Sequence, residues 1–319
     1  KRPCLYTVLR MLLMDMTNVL HQMTLLLLLM LVGFLCRKAG AIEENADAVF
    51  ASFVVNITLP ASIIGASTSS NIYFDGTTVL LYASVSGMIY VLALGVGRVF
   101  TKVFCVAPKD AGLYRFMLAF SNTGFIGYPI MGAVLGTESF VFVSIFHLPF
   151  NIFVYSLGIY IISERMNSFR VRNLLTPCLA ASVSSIMLGL FRVELPTIIT
   201  DFCGMLGAAT TPCAMIVVGS ILATVAVKDI FSQWKLYVLI MIKLLAFPFL
   251  LLFVLKKLID DQMLLQIAVI TAALPCATNT ALLCTQYGGN EKLASEGIFV
   301  STLLSFFTIP AVLSFLPAN

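Results

Sequence analysis

Two short segments hold the polar and helix-breaking residues of an otherwise apolar chain. The first reads Phe120-Ser121-Asn122-Thr123-Gly124-Phe125-Ile126-Gly127-Tyr128-Pro129, the second Leu274-Pro275-Cys276-Ala277-Thr278-Asn279-Thr280. Gly and Pro propagate helices poorly, Pro most of all because it lacks an N–H and clashes with the preceding turn. Gly127, Pro129 and Pro275 are therefore expected to break their helices. A half-helix that restarts after a break presents free N–H groups and partial positive charge, which suit a carboxylate. Asn122 and Asn279 add neutral amide donors, and Thr123, Gly124, Thr278 and Thr280 add hydroxyl or backbone contacts. The chemistry to expect is reversible binding of a small anion. The plainer alternative for either segment is a kink held by Ser and Thr packing.

Two more side chains could carry charge. Lys243 lies nine residues beyond Trp234, inside an apolar run. A mid-membrane lysine costs roughly 2.5–3.5 kcal/mol on insertion scales, so it should face a packed interior or a wet cavity. There it would attract an anion or pair with a backbone carbonyl; otherwise it would snorkel to the interface. His147 could titrate near neutral pH or serve as a hydrogen-bonded packing group. All fifteen Asp and Glu fall near span ends or in loops, which disfavours cation antiport and proton coupling through a carboxylate. A coupled sodium ion or proton stays open with no site assigned. No cofactor or metal is implied: neither a phosphate-binding Gly-rich loop nor H-E-x-x-H occurs. His21 and His147 have no evident carboxylate partners, which argues against an embedded enzyme. The rival class is a membrane ligand sensor or scaffold that binds without translocating.

The elements that would position these residues follow from composition. Of 319 residues, 60% are hydrophobic and 11% charged, against roughly 25% charged in soluble domains. So much apolar surface needs lipid as solvent, and lipid requires each span to satisfy its own backbone. Long continuous runs favour helices over a barrel. Ten runs approach the ~20 residues a span needs: 17–36, 48–69, 78–99, 113–135, 139–163, 174–191, 197–225, 234–255, 264–286 and 293–316. The seventh is long enough to begin as an interfacial segment near Asp201. The first lacks a small-residue cleavage site and reads as a span rather than a signal peptide. Eight scattered cysteines without a C-x-x-C pair read as small core residues. A net charge of +4 with the basic residues in loops argues against nucleic acid.

Loops after odd-numbered spans carry twelve Lys and Arg, those after even-numbered spans three. The positive-inside rule then puts both termini on the non-cytoplasmic side, against a weak contrary signal from Lys1, Arg2 and Arg10. Internal spacing suggests a repeat: Pro60 and Pro212 stand 152 residues apart, and Gly136-Thr137-Glu138 and Gly289-Asn290-Glu291 stand 153 apart. This pairs residues 1–163 with 174–319. Five spans per half force opposite orientations, the inverted-repeat design of many secondary transporters, in which broken helices four and nine cross near the bilayer centre.

The residues Asn122 to Pro129, Ala273-Leu274-Pro275 with Tyr287, and Leu59-Pro60 resemble the fourth-, ninth- and second-span patterns of the auxin efflux carrier family, over about residues 19–316. That family includes plant PIN auxin exporters and bacterial malate and malonate permeases. The resemblance implies a ten-helix crossover fold, with spans one, two, six and seven as a dimerising scaffold and the other six as a mobile transport domain. It implies an organic anion, mono- or dicarboxylate or auxin-like acid, as substrate at the crossover. The short 164–173 connector and the Pro275-x3-Asn279 spacing look more like the bacterial organic-acid relatives than the plant carriers.

Overall fold

The computed structural model describes residues 5–43, 46–69, 75–163, 176–224, 233–287 and 289–316. The connector 164–173, Leu174 and Val225 at the expected ends of two spans, and the basic residues Lys1, Arg2, Arg165, Arg170, Arg172 and Lys228 lie outside them. Among the described residues there is no strand, only an isolated antiparallel bridge between Ser121 and Cys276.

The helices in chain order are α1 (Leu5–Lys38), α2 (Ala46–Phe53), α3 (Leu59–Ser69), α4 (Gly76–Val103), α5 (Pro108–Ala119), α6 (Tyr128–Leu135), α7 (Ser139–Phe146), α8 (Leu148–Phe153) and α9 (Ile159–Ser163). The second half of the chain contributes α10 (Pro177–Phe191), α11 (Thr197–Ala208), α12 (Thr210–Thr224), α13 (Trp234–Met241), α14 (Phe247–Leu255), α15 (Gln262–Ala273), α16 (Asn279–Tyr287) and α17 (Glu291–Leu313). Among the described residues, six stretches are long and apolar enough to cross a membrane: Leu20–Lys38, Ala46–Ser67, Gly76–Val103, Thr197–Thr224, Trp234–Leu255 and Glu291–Leu313. Four apolar helices of 10–17 residues are shorter: Thr123–Leu135, Ser139–Phe150, Pro177–Phe191 and Gln262–Ala273. The protein is thus all-helical and polytopic. Three of the shorter four are short because their helices are interrupted. The long seventh run is helical from Thr197 to Thr224, through the position of Asp201. Its α11 and α12 continue in tandem through a turn at Ala209, just before Pro212.

Proline also explains a recurring device. Three of the four wider π-helical turns among the described residues, Val54–Thr58, Thr123–Gly127 and Ile242–Ala246, each run straight into Leu59-Pro60, Tyr128-Pro129 or Phe247-Pro248; the fourth, Val154–Gly158, does not precede a proline. A proline cannot donate to the carbonyl four residues back, here those of Asn56, Phe125 and Leu244. The preceding turn loosens to longer-range bonding, a distortion frequent at functional sites. Residues from all three turns face the region described below.

Two groups of helices emerge from the packing. α1 lies along α12, and α3 against α10 and α11. α4, α5, α9, α13, α14, α15, α16 and α17 pack mainly among themselves. Lipid is as apolar as leucine, so helices in a bilayer associate through close van der Waals contact rather than hydrophobic burial. The α1–α12 contact shows this. A methyl group on Gly33 or Gly219 would overlap the facing carbonyl of Ile216 or Met30. The exterior is lined by exposed apolar side chains such as Val91, Met205, Phe253 and Phe307.

Candidate functional site

The fourth-span interruption falls earlier than Gly127 and Pro129. α5 ends at Ala119, Phe120 is extended, and the chain re-enters helix at Thr123. Asn122 caps the new helix: its side chain accepts the Phe125 N–H at 3.3 Å. Gly127 and Pro129 instead shape the turns beyond. A Cβ on Gly127 would stand 2.7 Å from Leu274 Cδ1, so this glycine lets the two broken segments approach. In the ninth span the interruption is at Pro275 itself. α15 ends at Ala273, Leu274 is extended as the residue before a proline prefers, and α16 restarts at Asn279.

The two interruptions satisfy one another. The Asn122 N–H donates to the Pro275 carbonyl at 2.9 Å, and the Ala277 N–H donates to the Phe120 carbonyl at 3.1 Å. The Cys276 N–H donates to Ser301 Oγ at 3.0 Å, and Cys276 Sγ to the Met117 carbonyl at 3.5 Å. Buried backbone groups left unpaired would cost several kcal/mol each. Neither break is stable alone, and each supplies the partners the other lacks. Both restarting half-helices therefore begin at the same place.

Lys243, only 1% exposed, closes the arrangement from behind. Its ammonium donates to the Leu118 carbonyl at 3.0 Å and to Ser121 Oγ at 3.0 Å. It does not snorkel. It sits against the C-terminal end of α5, where the helix dipole favours a cation, and Ser121 connects it to the cavity in front.

That cavity, of about 120 Å³, is lined by Ser121, Asn122, Thr123, Gly124, Tyr128 and His147 on one side, with Ala277, Thr278 and Asn279 beside them. Val55, Leu59, Thr176, Cys178 and Ser182 form the opposite wall. Most buried polar atoms in proteins have partners. Here Asn122 Nδ2, Thr123 Oγ1 and His147 Nδ1 are buried and have none. All three residues line this one cavity. Asn122 is 3% and Thr123 2% exposed, so bulk water reaches these groups poorly.

The structure thus gathers Asn122, Thr123, Gly124, Thr278, Asn279 and His147. It does not gather Thr280, which is fully buried and donates its hydroxyl to the Ala277 carbonyl at 2.6 Å. His147 is no hydrogen-bonded packing group. It stacks on Phe150 with ring centroids 4.2 Å apart and occupies the turn between α7 and α8. Pro149, whose missing N–H could have signalled that interruption, makes this a third broken helix at the cavity. Sequence reasoning missed Ser121, the opposite wall and Cys178, whose thiol donates to the Val55 carbonyl at 3.0 Å. It also missed Glu296, 3% exposed and more than a turn inside α17, where a span-end carboxylate was expected. Among the described residues no cluster of three or more His, Cys, Asp or Glu could hold a metal.

Over residues 18–174 and 166–313 the chain matches the model of a family described as membrane transport protein. It is 25% identical over 298 residues to an uncharacterized transporter of Methanocaldococcus jannaschii, covering 89% of this chain and 94% of that protein. It is 24% identical over 300 residues to an uncharacterized transporter of Methanothermobacter thermautotrophicus, with 89% and 94% covered.

Proposed function

The chain belongs to the membrane transport protein family, that of the auxin efflux carriers, and on that premise we propose that it carries a small organic anion, a mono- or dicarboxylate, across the cell membrane by alternating access. It is a multi-pass transporter rather than an enzyme. The observation that carries the anion reading is the pair of orphaned groups, Asn122 Nδ2 and Thr123 Oγ1, at a helix start on the wall of one cavity. An amide N–H₂ can only donate, so its natural complement is an acceptor such as a carboxylate oxygen. Thr278 and Asn279 face the same space from the second half-helix. Lys243 contributes positive charge through Ser121 without occupying the cavity. A volume of about 120 Å³ falls below the roughly 300–1,000 Å³ of drug-sized sites and suits a short-chain acid.

The same reading takes the ten apolar helical passages as ten spans and the two halves as inverted repeats, since the two interruptions run antiparallel to each other. The group holding α1, α3 and α10–α12 acts as the fixed scaffold and the dimer surface. The group holding α4–α9 and α13–α17 moves against it and carries the half-sites. Both termini lie on the non-cytoplasmic side. For export, moving one negative charge outward gains about 2.3 kcal/mol per 100 mV with the interior negative.

A thermal-shift screen of purified protein against malonate, malate, pyruvate and indole-3-acetate should raise the melting temperature with at least one acid, because a ligand of the folded state stabilises it by mass action. Labelled counterflow of that acid in proteoliposomes should follow, and Asn122→Ala and Asn279→Ala should abolish it while insertion persists. Binding without counterflow would identify a sensor instead. Counterflow retained in both variants would remove the crossover as the site.

A further inference from the structure

The orphaned amide and hydroxyl account for the substrate, but His147 remains unused. We propose that His147 binds a proton that travels with the anion, so that the carrier couples carboxylate movement to the proton gradient; this rests on the anion reading above. The argument begins with position. Pro149 interrupts the fifth span, and the interruption leaves His147 at the turn between α7 and α8, its backbone N–H held by the Val143 carbonyl at 2.9 Å. Phe150 stacks on the ring and fixes its plane. Ser86 of α4 donates to the neighbouring Phe146 carbonyl and anchors the turn. The result is an imidazole on the wall of the cavity that holds Asn122 and Thr123, with a buried Nδ1 that has no partner.

The surroundings isolate this group as the proton site. Among the described residues, no Asp, Glu, Lys or Arg lines the cavity. On the elements packed against α7 and α8, the titratable side chains at the level of the turn are Tyr82 and Tyr90 of α4, Tyr128 of α6 and Cys178 of α10, with Asp261 opening α15 and bonded to Tyr82 at 3.0 Å; Arg98 and Lys102 of α4 stand more than two turns beyond Tyr90. Lys243 stands behind Ser121. Tyr and Cys lose protons well above neutral pH in water and become negative when they do. His is the side chain that gains positive charge in the physiological range.

The cycle needs no other group. In the empty cavity a neutral imidazole offers a lone pair. When the carboxylate enters between Asn122 and Thr123, a proton from the same aqueous side bonds to the imidazole nitrogen. The imidazolium then has two N–H donors, one available to the anion. Proton and anion binding favour one another reciprocally, as any two coupled ligands must. After the moving group carries the half-sites across, departure of the anion removes the counter-charge and the proton leaves to water. A monocarboxylate crosses this way with no net charge, so the proton gradient replaces the membrane potential as its driving force, whereas a dicarboxylate still carries one negative charge and feels both.

Isothermal calorimetry of malonate and of pyruvate, whose carboxyl stays ionised throughout, from pH 6 to 8 in two buffers of different ionisation enthalpy tests this. Expected for the natural sequence is uptake of close to one proton per anion bound and an apparent Kd that tightens by up to about tenfold per unit fall in pH. His147→Gln keeps a polar side chain that cannot titrate. It should bind more weakly, with a Kd independent of pH and proton uptake near zero, and a pH dye in proteoliposomes should show anion movement without proton movement. Anion binding without proton uptake in the natural sequence would overturn the proposal and leave the anion reading standing, whether or not the variant folds. Unchanged proton uptake in His147→Gln would overturn it too. Failure of the natural sequence to bind any carboxylate would sink both.

Discussion

The backbone N–H of Asn122 donates to the carbonyl of Pro275 at 2.9 Å, so the residue that caps one half-helix is fixed in place by the residue that interrupts the other. This single bond spans 153 positions of sequence. It explains why the site cannot be assembled in halves: the freed polar groups of each break find their partners only in the opposite break.

Asn122 has two separable roles. Its Oδ1 caps the half-helix through the Phe125 N–H, and its Nδ2 points unpartnered into the cavity. Asn122→Asp keeps the capping oxygen, removes the donor and adds a negative charge. We expect the Asp variant to fold with nearly the parent thermal midpoint while its affinity for a carboxylate falls at least 10–150-fold, roughly the 1.5–3 kcal/mol of a charged hydrogen bond. Asn122→Ala should lose both, with lower stability and no binding. Calorimetry and melting curves on the two variants separate the roles.

Lys243 braces the fourth-span break through Leu118 and Ser121. Lys243→Met fits the same volume but strands two buried acceptors, at about 1–3 kcal/mol, so the melting temperature in detergent should drop by several degrees. Because the lysine also places a positive charge 3.0 Å from Ser121 Oγ on the cavity wall, anion affinity should weaken by about tenfold. A lower melting temperature with unchanged affinity would mark Lys243 as a brace alone.

Much of this was legible in the sequence, for specific reasons. The spans could be read because a bilayer demands long apolar runs, and the breaks because Pro275 and the Gly124–Pro129 cluster are incompatible with a continuous helix. The exact break in the fourth span was not legible. Phe120 is a residue any helix accepts, and it turns extended only because its carbonyl receives the Ala277 N–H. The partner of Lys243 depends on a π-helical turn that reorients the side chain by a fraction of a turn. The far wall, with Val55 and Cys178, comes from helices distant in sequence whose approach no local pattern encodes. Glu296 lies close to a span end on paper, yet packing of α17 against α5 and α13 buries it.

The scaffold makes its own prediction. Gly33 on α1 and Gly219 on α12 each face a carbonyl of the other helix with no room for a methyl. Gly33→Val or Gly219→Val forces the backbones apart, and overpacking of this kind costs about 1–3 kcal/mol or more. Melting temperature should fall in either variant. The double variant should fall by less than the sum, since one separation relieves both clashes. Full additivity would mean the two glycines do not share a contact.

The two threonines flanking Asn279 give the sharpest contrast, because their sequence positions are nearly equivalent and their structural ones are not. Thr280 is fully buried, and its hydroxyl donates to Ala277 at 2.6 Å, holding the first turn of α16 against the break. Thr278 lines the cavity. Thr280→Val keeps the shape but leaves the buried Ala277 carbonyl with only the Thr280 N–H, at 3.0 Å, as donor. It should lower stability by about 1 kcal/mol or somewhat more while carboxylate affinity stays within about twofold. Thr278→Val should do the reverse, leaving the melting curve in place and weakening binding several-fold. Paired melting and binding measurements on both variants decide the matter. If Thr280→Val weakened binding as much as Thr278→Val at equal stability, the ligand would have to sit deeper against α16 than the cavity described here.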